Sequence, residues 1–207
     1  MFKPLALFAF GALIAIAGAW LRPVEANAQA SLAQSGPLST RPAPGRGERD
    51  MVSWVVLSNT HVELDVESLR GKLDELYPGE FLPARQKGNF VVEGSVPGQF
   101  LIQSSIRGAA GTFFLHSVPG PYTEFSNFAK SLEDRSLRQT AEAQCCWLSV
   151  DLIARHTSDG DAYRFIGRLL AKLAPADAAL LVHPTRRIAM SFTDEVRRRL
   201  ASGEQIP

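Results

Sequence analysis

Apolar residues recur along this chain in two rhythms, period two for strands and about three and a half for helices, and the switches between them mark out elements. Trp54-Val55-Val56-Leu57 is a short continuous apolar run, the form taken by a strand covered on both faces. Asp65 then precedes Val66, Leu69, Leu73 and Leu76, a single helical stripe with an acidic N-cap and a stop at Pro78-Gly79. Three strand-like segments follow, Asn89–Val96, Gln99–Ile106 and Thr112–Val118. They are separated by Pro97-Gly98 and by Gly108-Ala109-Ala110-Gly111, connections that join antiparallel neighbours. Pro121 and Thr123 open a helical pattern carrying Phe125, Phe128 and Leu132, and a second short helix is expected from Asp134 to about Ala143. The strand-like run Cys145–Val150 comes next. Asp161 leads an amphipathic helix through Tyr163, Ile166, Leu170 and Leu173, which Pro175 ends. Ala178–Val182 and Arg187–Ser191 read as short strands. The last helix has Thr193 as N-cap, acids in its first turn, Arg197–Arg199 in its last, and Gly203 beyond.

This order predicts an α+β fold, a largely antiparallel sheet with helices packed on one face. Each half begins with a Trp-bearing strand (Trp54, Trp147) and continues with a helix of the same spacing, which suggests two pseudo-repeated halves. The motif Ser95-Val96-Pro97-Gly98 recurs as Ser117-Val118-Pro119-Gly120, and both copies are expected to form type II turns at strand ends. The succession of hydrophobic strand, meander, Pro-rich turn, helical segment and the strand Cys146-Trp147-Leu148-Ser149-Val150 resembles an uncharacterised bacterial α/β domain family over most of residues 52–200. That family often has a His shortly before this strand, where the chain has Gln144-Cys145-Cys146. The resemblance implies a fold without a particular activity, so no site residue follows from it.

The N-terminal end follows neither rhythm. Lys3 precedes an uncharged apolar run from Leu5 to Leu21, and Ala26-Asn27-Ala28-Gln29-Ala30 supplies a small-x-small site, so residues 1–30 read as a secretory signal peptide cleaved after Ala30 or Ala28. The competing reading is an uncleaved anchor, which would make the protein an inner-membrane one rather than periplasmic or secreted; membrane contact would then pass through this segment alone. Residues 31–50 are rich in Pro, Gly, Ser and Arg and read as a flexible linker. The folded domain is expected over 51–203.

Charge removes one class of partner. Of 22 Lys and Arg and 21 Asp and Glu, those in residues 1–30 are Lys3, Arg22 and Glu25, so residues 31–207 are balanced at 20 of each. A nucleic-acid binder needs a basic excess to release counterions, so no nucleic-acid partner is expected.

Candidate chemistry is sparse. Cys145 and Cys146 are the only cysteines. In an extended strand their side chains would point to opposite faces, which disfavours both a vicinal disulfide and a shared metal ion, so burial beside Trp147 competes with a redox role. His61-Val62-Glu63 would set an imidazole and a carboxylate on one face of a strand, a candidate general-base pair, against the alternative of a solvated loop end. Glu80, Glu93, Asp151 and Asp159 are scattered carboxylates, and no serine elbow, phosphate loop or spaced metal motif is present. No metal and no cofactor are expected. The pattern points first to an exported, non-enzymatic domain that binds a partner protein or small ligand. The alternatives are a hydrolase using dispersed residues such as His61, Glu63 or His116, and a membrane-anchored envelope protein.

Overall fold

The computed structural model describes residues 52–81, 88–122, 129–130 and 132–206. The expected signal segment and linker, and the helix expected to carry Phe125 and Phe128, lie outside the described residues. The described elements are β1 (Ser53–Ser58), α1 (Val66–Leu76), β2 (Phe90–Glu93), β3 (Gln99–Ser104), β4 (Gly111–Pro119), α2 (Arg135–Ala143), β5 (Cys146–Arg155), α3 (Asp159–Leu173), β6 (Leu180–His183), β7 (Ile188–Ser191) and α4 (Asp194–Ser202). The seven strands form a single sheet in the order β2-β3-β4-β5-β1-β6-β7, and every pairing is antiparallel. The fold is α+β, as the periodicity predicts. Among the described residues no helix is long and apolar enough to cross a membrane.

Local chemistry sets the helix ends. Asp65 accepts from the Ser68 backbone N–H at 2.7 Å while the Ser68 hydroxyl accepts from the Asp65 N–H at 3.0 Å, a reciprocal box that starts α1. In α3 the cap is Ser158, and the helix begins at Asp159, two residues before the Asp161 that leads the apolar stripe. Asp161 instead occupies the third helical position, where its backbone N–H reaches the Ser158 hydroxyl at 3.2 Å. Gly203 ends α4 at φ 82° and returns its N–H to the carbonyls of Arg199 and Leu200. The three consecutive arginines of α4 have separate duties. Arg197 donates to the carbonyls of Ala171, Ala174 and Pro175 at 3.1, 2.7 and 2.6 Å and so caps the end of α3. Arg198 pairs with Glu195 and Arg199 with Glu204.

The sheet divides the apolar residues into two clusters. On one face Trp54, Val56, Leu115, Val150 and Leu181 meet Leu69 and Leu73 of α1, Phe165 and Leu169 of α3, and Leu200 of α4. On the other, Val55, Leu57, Leu180 and Val182 meet Ala141 of α2 together with Ala129 and Trp147. Three helices therefore share one face as expected, while the short α2 lies over the β1–β6 end of the opposite face. The rest of that second face is barely covered: Phe90, Val92 and Ile153 are 37%, 46% and 59% exposed.

Both Trp-led strands are neighbours in the sheet, with Trp54 opposite Val150 and Leu57 opposite Trp147. The likeness of the halves stops at this strand–helix start. The strand after α1 goes to the far edge as β2, whereas the strand after α3 pairs with β1 as β6.

Candidate functional site

Strand alternation places Phe114 and His116 of β4, Trp147, Ser149 and Asp151 of β5, and Ser53 of β1 on the less covered face, because Asp151 lies opposite both Ser53 and Phe114, and Ser149 opposite His116. The Ser53 hydroxyl donates to Asp151 Oδ1, and the Ser149 hydroxyl donates to Asp151 Oδ2 at 3.1 Å. A carboxylate is an acceptor, so two hydroxyl donors from different strands fix its orientation. His116 Nε2 stands 3.9 Å from Asp151 Oδ2, within ion-pair range but beyond a direct hydrogen bond. Burial holds the His116 pKa below the usual imidazole value, with the Asp151 charge acting in the opposite sense, so the ring is neutral at neutral pH.

Aromatic groups frame this polar floor. The His116 ring lies 4.6 Å from Phe114 and 5.8 Å from Trp147, and Tyr122 meets Trp147 edge-on at 5.1 Å. Ser53, His116, Tyr122, Trp147, Ser149, Asp151 and Pro184 together line a shallow cleft of about 480 Å3 including its open mouth. Nothing in the linear spacing joins these residues. The available signal was the break in apolar pattern: Ser149 and Asp151 alternate with Leu148, Val150 and Leu152, and His116 ends the run Phe113-Phe114-Leu115.

His61 and Glu63 are not on a strand. They lie in the irregular segment between β1 and α1 and line a second shallow groove with Glu93, Pro97 and Ser117. His61 Nε2 approaches the Ser117 carbonyl at 3.3 Å, and the Ser117 hydroxyl donates to the carbonyl of Val62. The imidazole thus serves to pin this loop against β4, and the strand geometry expected of the His-x-Glu pair is absent. His183 is a core histidine. Its Nδ1 accepts from the Arg186 backbone N–H at 3.2 Å, which puts the neutral ring's proton on Nε2, 2.5 Å from the Tyr163 hydroxyl.

Cys145 and Cys146 depart from expectation. Only Cys146 belongs to β5, so strand alternation does not separate the side chains, and the two sulfurs lie 3.5 Å apart. Cys145 is exposed and Cys146 buried; burial, followed by the neighbouring Cys145, pushes the Cys146 thiol above its usual pKa.

Compared with known proteins, the chain matches no family model, no curated protein and no solved structure.

Proposed function

We propose that the protein is an exported binding domain whose cleft over β4, β5 and β1 takes a small ligand bearing an ammonium or guanidinium group. The observation that carries this is the placing of the Asp151 carboxylate, oriented by Ser53 and Ser149, in a cleft that also holds His116, Trp147 and Tyr122. A carboxylate on the floor attracts a cation, a neutral imidazole does not repel it, and aromatic rings beside it add cation–π attraction. The runner-up is hydrolysis with His116 as general base, favoured by its approach to Asp151. In that arrangement, however, both serine hydroxyls donate to the carboxylate rather than to the imidazole, so neither is activated as a nucleophile.

Calorimetric titration with small amines and guanidines, beside matched carboxylic acids and neutral amides, tests the reading. Only the cationic ligands are expected to bind, and Asp151→Asn is expected to weaken them at least about tenfold, the size of a lost charge-assisted hydrogen bond. The binding should stay level from about pH 8 to about pH 6.5, then weaken at lower pH as His116 takes a proton and repels the cation. Equal affinity for carboxylic acids, or an unchanged Asp151→Asn variant, would defeat it.

The pattern of Lys3, the apolar run to Leu21 and the Ala28-Gln29-Ala30 site supports export. A mature chain beginning at Gln29 or Ser31 by intact mass is the expected result, and retention of Met1 would favour the anchored alternative.

A further inference from the structure

At the edge of the central three strands, Cys145 is fixed by its backbone on both sides. Its N–H donates to the Ser58 carbonyl at 3.3 Å, and its carbonyl accepts from the Gly120 N–H at 2.6 Å, so the ends of β1 and β4 hold it between them. Cys146 follows in ladder register with Ser58 and Pro119. The two thiols converge on one oxygen: Cys145 Sγ is 3.3 Å and Cys146 Sγ 3.8 Å from the Asn59 carbonyl. Beside this turn, the Thr60 hydroxyl donates to the Asp177 carboxylate at 2.9 Å, bringing a further negative charge to the neighbourhood.

The separation of the sulfurs discriminates between their uses. A disulfide needs about 2.05 Å between sulfurs, so the observed 3.5 Å would have to close while the backbone bonds to Ser58 and Gly120 hold. Two thiolates at about 2.3 Å from one tetrahedral ion stand about 3.8 Å apart. The pair is already set near that bite. Among the described residues no third His, Cys, Asp or Glu completes a closed metal cage, which leaves outer positions for the carbonyl and for solvent.

We propose that Cys145 and Cys146 form a two-thiolate chelating site for a soft, thiophilic divalent metal ion, with the Asn59 backbone carbonyl as an additional donor and one coordination position open. Binding replaces two thiol protons by the ion: each S–H bond breaks, each sulfur bonds the metal, and two protons leave to solvent without any change of oxidation state. The softness of sulfur excludes Mg(II) and Ca(II) and favours Cd(II), Zn(II) and their like. The site is separate in its residues from the Asp151 cleft and stands or falls independently of it.

The test is a titration of the full reduced chain with Cd(II), followed by ultraviolet sulfur-to-cadmium absorption and by proton release, with Zn(II) as competitor and Mg(II) as control. One ion per chain and two released protons are expected. Cys145→Ser should lose the band and weaken binding by at least the about 100-fold that even changes outside the ligand sphere reach. Because Cys145 is exposed, this variant should keep the wild-type circular dichroism. Asn59→Ala should bind as the wild type does, since only its backbone oxygen is used. Cadmium bound equally by Cys145→Ser overturns the proposal. So does a chain, purified without reductant, whose two thiols take no alkylating label until they are reduced.

Discussion

Phe165→Ala is expected to destabilise the domain by about 3–5 kcal/mol, the range for deleting a fully buried aromatic ring. Phe165 projects from α3 to the junction of three elements. Its ring stacks on Tyr77, just beyond α1, at 5.7 Å with an interplanar angle of 23°, and lies 4.2 Å from Phe113 of β4. With no exposed surface on Phe165, truncation gives up its transfer energy and leaves a cavity between rigid helices and a hydrogen-bonded sheet. In a domain of this size that loss corresponds to a fall in melting temperature of roughly 6–20 °C. Arg164→Ala, one position along the same helix, removes only an exposed pairing with Asp161 and should change stability by less than about 1 kcal/mol. Urea melts of the two variants check this; equal midpoints would mean that α3 does not rest on the sheet through Phe165.

Gly98→Ala should cost about 1.5–3.5 kcal/mol, above the cost of Gly120→Ala, although the two glycines close identical Ser-Val-Pro-Gly motifs. The first copy is a true turn: the Gln99 N–H returns to the Val96 carbonyl at 3.2 Å, with Gly98 at φ 78°. Its carbonyl accepts from the Ser117 N–H at 2.7 Å, so the turn is tied to β4. A Cβ on Gly98 would come within 2.2 Å of the Ser117 carbonyl oxygen, a backbone atom that cannot swing aside. Left-handed strain of about 1–2 kcal/mol therefore adds to a broken or stretched hydrogen bond worth about 0.5–1.5 kcal/mol. The second copy is no turn. Val118 and Pro119 extend β4 opposite Trp147 and Cys146, and a Cβ on Gly120 would meet no atom within 4 Å. There only the unusual φ of 127° is penalised, by about 1–3 kcal/mol. Thermal melts of both variants give the comparison, and an equal or reversed order would show that the collision at Ser117 is relieved by movement of β4.

The contrast between the two motifs shows where local sequence stops being sufficient. Proline and glycine set dihedral preferences, and these are met by the turn at Pro97-Gly98. At Pro119 the strand continues instead, because β5 lies alongside and supplies pairing partners as far as Cys146. A proline near a strand end loses little, since its missing N–H need not face the ladder. The cysteines show the same limit. Alternation within a strand would separate their side chains, yet β5 starts at the second of them, and that boundary of one residue brings the sulfurs together rather than apart.

The sequence by itself determined most of the described elements, the α+β class and the antiparallel meander, because hydrophobic period, capping side chains and Pro-Gly breaks act within a few residues of one another. Leu69 and Leu73 of the stripe after Asp65 are buried, and the caps at Asp65 and Thr193 are where the pattern put them. Strand order, and with it the candidate site, was decided only by tertiary structure. Ser53 and Asp151 are 98 positions apart, and they meet because β1 inserts between β5 and β6. His116 and Asp151 stood in the sequence as a dispersed histidine and a scattered carboxylate. Their approach depends on the register of β4 on β5, which is fixed by how the whole apolar face packs under three helices, and no spacing along the chain encodes a sum of such distant contacts.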